Sequence, residues 1–194
     1  MTLGETERRD LIDRYADGPR RKYRGTLKAA PPVDYPEIGL YHPGLPARVS
    51  ERLSDLPVPA APLRGRVGLL VMRSYVLAGN SAHYDGVIAA LERRGLQVVP
   101  AFATGLDSRP AIDKFFIANG RTTVDAVVSL TGFSLVGGPA YNDAHAASEV
   151  LAKLDVPYLA AHAVEFQTLE QWEASDRGLM PVETRSVHWL ARPE

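Results

Sequence analysis

The sequence predicts an α/β protein: a flavodoxin-like, doubly wound, mainly parallel sheet of four to five strands with helices on both faces, preceded by a Pro-rich arm. Three observations carry that prediction. From Arg66 onward, apolar runs at 67–72, 97–102, 124–130 and 156–160 alternate with helical patterns, the signature of βαβ units. The runs are continuous rather than alternating, which fits parallel strands covered on both faces. The loops that follow the first, third and fourth runs are the polar ones, and they leave from the edge where open α/β sheets place ligands. Right-handed crossovers put the first of these strands in the middle of the sheet.

The elements follow in order. Residues 1–28 read as a helical segment with Leu11, Ile12 and Tyr15 on one stripe, ended by Gly18-Pro19. The basic cluster Arg20, Arg21, Lys22 and Arg24 reads as solvated surface, with a phosphate site as the alternative. Residues 29–64 form the arm, because eight of the fifteen prolines lie between Pro31 and Pro62, and it is expected to be extended and turning rather than a layer of the sheet. Its segment from Asp34 to Pro43 carries Tyr35, Tyr41 and His42, more ring surface than a free linker keeps in water, so the arm is expected to dock. Residues 65–184 form the α/β domain. Its first helix spans about 81–94 with Tyr84, Val87, Ile88 and Leu91 inward and Gly95 as its stop. A second starts near Ser108, with Pro110 in the first turn and Ile112, Phe115 and Phe116 inward. A third spans about 142–154. Thr168 and Gln171 have the spacing of a capping box, which starts a fourth helix over 168–175. Residues 185–194 form an atypical tail.

Composition excludes several classes. Of the 194 residues, 45% are hydrophobic, enough for a real core. Lys plus Arg number 22 against 23 Asp plus Glu, so no nucleic-acid or anionic-membrane partner is indicated. The chain has no cysteine, which removes disulfides, thiolate zinc sites and thiol nucleophiles. No apolar run has the length of a signal peptide core or a membrane span, and a cytoplasmic protein is expected.

Three loops hold the candidate chemistry. The first, 73–84, combines Arg73, Ser74, Asn80, His83 and Tyr84. Arg73 and the following helix start could grip a carboxylate or phosphate, or Arg73 could pair with a local acid. His83 could accept a proton near neutrality, or cap and pack. The second, 131–143, offers Thr131, Gly132 and Phe133. Phe133 with Leu135 and Val136 could wall a flat ligand or meet another domain. It lacks the lysine and spacing of a P-loop and is not a dinucleotide fingerprint. The third brings His162 and Glu165, the latter a candidate base, hard metal ligand or plain surface acid. Asn142, Asp143 and His145 fit helix capping and first-turn charge better than metal binding. No metal-ligand set is assigned.

The segments VMRSYVLAGNSAHYDGVIAALERRGLQVVPAFATGLDSRPAID, VDAVVSLTGFSLVGGPAYND and LDVPYLAAHAVEFQTLEQW, with the upstream YPEIGLYHP, resemble the family of the large porphyrin-binding H subunit of magnesium chelatase, related to the large subunit of aerobic cobaltochelatase. The resemblance spans Tyr35 to Thr184, and AGNSAHYDGVI is closer to the bacteriochlorophyll-pathway form than to the plant form. It implies a component that binds protoporphyrin IX and takes part in Mg²⁺ insertion, with Mg²⁺ as substrate. It also implies ATP hydrolysis on AAA+ partner subunits of the I and D type rather than on this chain, which agrees with the missing P-loop. His83 and Glu165 are then candidates for deprotonation or metal delivery. Arg73, Ser74, Asn80, Tyr84, Thr131, Gly132, Phe133 and His162 are candidates for pigment contact. The family chain is much longer, so a fragment is expected to be inactive alone, or to act as a non-catalytic scaffold for the remaining domains.

Overall fold

In the computed structural model the described residues are 26, 34–59, 62–138, 141–161 and 167–179. The chain divides into two compact units, 1–34 and 35–194, and every element below belongs to the second. The expected N-terminal helix over 1–28 and the tail over 185–194 lie outside the described residues, apart from exposed Thr26.

A six-stranded mixed sheet organises the second unit. Four strands are parallel: β3 (Gly65–Leu70), β4 (Leu96–Ala103), β7 (Ala126–Ser129) and β10 (Tyr158–Ala160). β3 is central among them, hydrogen-bonded to β4 on one side and to β7 on the other, and β10 lies beyond β7. The chain therefore leaves β3 toward β4 and later crosses to the opposite side, which opens a crevice at the carboxyl ends of β3, β4 and β7.

The remaining two strands correct the sequence reading. The arm does not merely dock; its segments β1 (Ile38–Tyr41) and β2 (Val49–Ser50) join the sheet, β1 antiparallel to β4 and β2 antiparallel to β1. Proline density misled the expectation because it is an average over the segment. Pro36, Pro43 and Pro46 all fall outside the strands, so Ile38 to Tyr41 retain the N–H donors a ladder needs.

Alternation along each strand sends side chains to two separate cores. Leu69, Val98 and Phe102 pack with Tyr84 and Ile88 of α2 (Ala82–Glu92) on one face. Leu70, Val99 and Ala101 pack with Ile112, Phe115 and Phe116 and with Ala146 and Leu154 on the other. Those residues belong to α3 (Arg109–Phe115), its carboxyl end, and α4 (Ala144–Leu154). The approach is tight at Gly68, where an added Cβ would meet the Phe116 ring at 2.7 Å, so β3 requires a glycine there.

Local chemistry explains the ends. Asp143 caps α4 by accepting from the Ala146 N–H, and Asp155 ends it in the left-handed region at φ 50°. Thr168 and Gln171 form the expected capping box of α5 (Leu169–Glu173). The sequence reading missed α1 (Arg73–Leu77), a five-residue helical turn inside the first loop. It also missed two small ribbons, β5 (Ile117–Ala118) with β6 (Arg121–Thr122) and β8 (Gly137–Gly138) with β9 (Tyr141–Asn142). Elements this short leave no periodicity to detect.

Candidate functional site

A depression lies at the carboxyl ends of β3 and β4, beside the β3–β7 point where the strand order reverses. Leu70 to Met72 and Ala101 to Ala103 form its floor, Gly105 to Ser108 and Ala111 one side, and Thr131, Phe133 and Ser134 the other.

The two sides are tied together. Asp107 and Val136 form an antiparallel bridge, the Ser108 N–H donates to the Leu135 carbonyl at 3.1 Å, and the Gly137 N–H donates to the Leu106 carbonyl at 3.2 Å. Gly137 permits this turn with φ at 102°; a Cβ there would lie 2.2 Å from the Tyr141 carbonyl oxygen. Arg109 clamps Asp107 with two-pronged hydrogen bonds of 2.6 to 3.0 Å, and its backbone N–H donates to the same carboxylate at 2.9 Å. The Arg109 guanidinium holds the Asp107 carboxyl below its usual range. On the opposite side, the Thr131 and Ser129 hydroxyls lie 3.0 Å apart, and Thr131 Oγ1 accepts from the Phe133 N–H at 3.3 Å. Gly132 makes that turn at φ 70°.

Thr131 and Phe133 are thus the two expected residues that line the depression, with Gly132 shaping the loop between them. The first-loop candidates are placed differently. Arg73 is half-buried and spends two of its five N–H donors on the arm, Nε on the Pro36 carbonyl at 2.9 Å and Nη2 on the Tyr35 carbonyl at 3.1 Å. Tyr84 is fully buried, and its hydroxyl accepts from the Met72 N–H at 3.1 Å. His83 packs its ring 3.9 Å from that of Tyr84 and edge-on to Tyr75 at 5.7 Å. Ser74 and Asn80 are exposed. None of these five is part of the lining. His162 and Glu165 lie outside the described residues. Among the described residues, no group of three His, Cys, Asp or Glu is placed to hold a metal ion, and no helix is long and apolar enough to cross a membrane.

Asp107, Ser108 and Ser134 were missed as site residues. The Asp-Ser-Arg-Pro string carries the signal, but as a helix start it yields only capping, and the facing loop is distant in sequence. A second polar cluster was missed too. The Tyr41 hydroxyl donates to Asp85 and accepts from the Ser81 hydroxyl at 2.7 Å, and Arg48 donates to both Tyr41 and Asp85 while its guanidinium sits 5.4 Å from the Tyr41 ring centre. Burial, and then Asp85, push the Tyr41 phenol up. Beside it, buried His42 accepts the Gly44 N–H on Nδ1 at 3.0 Å, so Nε2 carries the proton that bonds Glu92 at 2.9 Å. Together these groups clasp the β1–β2 hairpin to α2.

Comparison with known proteins places this arrangement. The CobN/Magnesium Chelatase family model matches residues 10–194. That match corrects the expected end of the resemblance, since it continues through the tail past Thr184. The magnesium-chelatase H subunit of Cereibacter sphaeroides is 58% identical over 186 residues, 96% of this chain and 15% of that protein. The chloroplastic magnesium-chelatase subunit ChlH of Oryza sativa subsp. indica is 40% identical over 81% of this chain and 12% of its own length. The higher identity to the bacterial protein agrees with the closeness expected from AGNSAHYDGVI. In structure, the catalytic subunit of cobaltochelatase from Mycobacterium tuberculosis superposes with a TM-score of 0.54 at 24% identity, over 82% of this chain and 12% of that one, a likeness of fold. The chain spans about 15% of the length of the bacterial relatives it matches. With the family model covering nearly all of its residues, the chain belongs to the CobN/magnesium chelatase family.

Proposed function

We propose that this chain is a flavodoxin-like domain of a magnesium chelatase large subunit and supplies one wall of the site that holds protoporphyrin IX while Mg²⁺ is inserted. The depression between the Asp107 and Thr131 loops is the observation that carries the reading. It stands at the carboxyl ends of β3 and β4, beside the β3–β7 point where the strand order reverses, and the loop after β7 forms one of its sides. The open depression receives only an edge of a macrocycle, with Phe133 presenting a ring for it to lie against, and leaves the rest to other domains of the subunit. On this reading Mg²⁺ and the porphyrin are substrates, ATP is consumed by AAA+ partners of the I and D type, and the assembly works in the cytoplasm. The 194-residue chain alone binds pigment weakly and does not insert metal.

Metal insertion must remove two ring N–H protons. His83 and Glu165 are our candidates for that step, and for His83 it requires the macrocycle to extend from the depression over the start of α2. Arg73, Ser74 and Asn80 would meet pigment only in that same extended pose.

Titration of the chain with protoporphyrin IX, read by the pigment absorption and fluorescence, tests the proposal. Saturable binding is expected, weakened about tenfold by Phe133→Ala, with no magnesium porphyrin formed until the remaining subunit and its partners are added. No spectral change at micromolar pigment, in a chain that is folded by circular dichroism and co-purifies with the rest of the subunit, would replace this reading by a scaffold role.

A further inference from the structure

The depression mixes polar and apolar groups, and the side chains of Asp107, Ser134 and Thr131 are already answered by the protein. Asp107 is clamped by Arg109 and by the Arg109 N–H. Ser134 Oγ donates to the Val136 and Gly137 carbonyls at 3.3 and 3.2 Å. Thr131 is occupied by Ser129 and the Phe133 amide. Among the described residues the lining contains no Lys, Arg or His, and its one ionisable side chain, Asp107, is an acid. At the start of α3 the Arg109 amide is spent on Asp107 and the Ser108 amide on Leu135, which leaves the Ser108 hydroxyl and the Ala111 amide, two neutral donors without a cation beside them. Arg73, a candidate for gripping a carboxylate or phosphate, holds the Tyr35 and Pro36 carbonyls.

A carboxylate entering this space would give up its water for an acid and for hydroxyls whose hydrogens, Ser108 apart, are in use, an unfavourable exchange. An alkyl or vinyl group would instead meet Leu70, Ala101, Leu106, Ala111 and Phe133 without displacing any of these bonds. We infer that the depression selects its ligand by accepting an uncharged, apolar edge and rejecting a carboxylate-bearing one. The inference rests on the pigment reading above and adds an orientation to it: the vinyl-bearing edge of protoporphyrin IX points into this chain, and its propionates point away, toward whatever else encloses the ring.

Three porphyrins separate the outcomes when titrated against the full chain: protoporphyrin IX, deuteroporphyrin IX, which has hydrogens in place of the vinyls, and coproporphyrin III, which has propionates there. Deuteroporphyrin should bind about tenfold more weakly than protoporphyrin, and coproporphyrin at least about a hundredfold more weakly. In Phe133→Ala the preference for protoporphyrin over deuteroporphyrin should shrink below about threefold. Leu106→Ala, at a side chain that is 37% exposed and so of small consequence for folding, should shrink it in the same direction. Equal binding of protoporphyrin and deuteroporphyrin, or coproporphyrin binding as tightly as either, overturns the orientation and leaves the pigment reading standing. Absence of binding by all three overturns the pigment reading itself.

Discussion

The clasp between the β1–β2 hairpin and α2 and the rim of the depression both contain an Arg–Asp pair of similar exposure, yet they are wired in opposite ways. In the clasp, Arg48 reaches Asp85 37 residues away, and Tyr41 reaches Ser81 40 residues away. At the rim the side-chain bonds stay local, Arg109 to Asp107, Ser134 to Val136 and Gly137, and Thr131 with Phe133, all within three residues, and only backbone bonds cross between the loops. Long-range polar bonds join elements and so belong to the fold. Short-range ones satisfy a loop by itself, which lets the loop face a ligand without needing anything from it.

Removing the acid that centres the clasp should have the largest effect. Asp85→Ala strips the Tyr41 hydroxyl and the Arg48 guanidinium of their shared acceptor and should lower the unfolding free energy by about 2 kcal/mol in urea titrations. A loss as small as that of an ordinary surface substitution would show that the hairpin is held by packing alone.

Next in size is the difference between the two pairs. A double-mutant cycle on Arg48 and Asp85 should return a coupling of about 1 kcal/mol, and one on Asp107 and Arg109 a clearly smaller one. The local pair can persist in part when the chain unfolds, and whatever survives there contributes nothing to stability. Equal couplings would erase the distinction.

The smallest expected effect is also the most diagnostic, because the two regions titrate at opposite ends of the pH scale. Asp107 has its carboxyl held below the ordinary value of 3.8, so its contribution is complete above that value and is lost as pH falls through the lower folded value. Tyr41 has its phenol raised above 10.0 by burial and then by Asp85, so its contribution is complete below 10.0 and is lost as pH rises through the folded value. In chemical denaturation across pH, Asp107→Asn should flatten the acid limb and leave the alkaline limb in place, and Tyr41→Phe should do the reverse. A variant that moves both limbs would mean the regions are coupled.

What the sequence disclosed follows the same division. The parallel strands were legible because their apolar runs are long and continuous, and α2 was legible because Tyr84, Ile88 and Leu91 repeat at helical spacing. Thr168 with Gln171 and Asp143 before α4 could be read because capping is decided within three residues. The arm strands could not, since an antiparallel partner for Ile38 to Tyr41 is supplied by β4, some sixty residues on. Among the site candidates, Thr131 and Phe133 were reachable from the rule that strand-end loops converge. Arg73 stayed open between gripping an anion and pairing with a local acid, because residue type alone does not show that the Tyr35 and Pro36 carbonyls lie beside it. Asp107 and Ser134 were passed over for the same reason, each needing the other loop to acquire meaning.

The two-residue β2 has an effect on the behaviour of the protein in bulk. A border strand exposes bonding groups that invite another copy to stack alongside, and the invitation grows with its length. At Val49–Ser50, entered through Arg48 at a φ of 59°, the margin is too brief and too sharply turned to seed such growth, so on this flank the fold resists fibrous self-association by geometry instead of by charge.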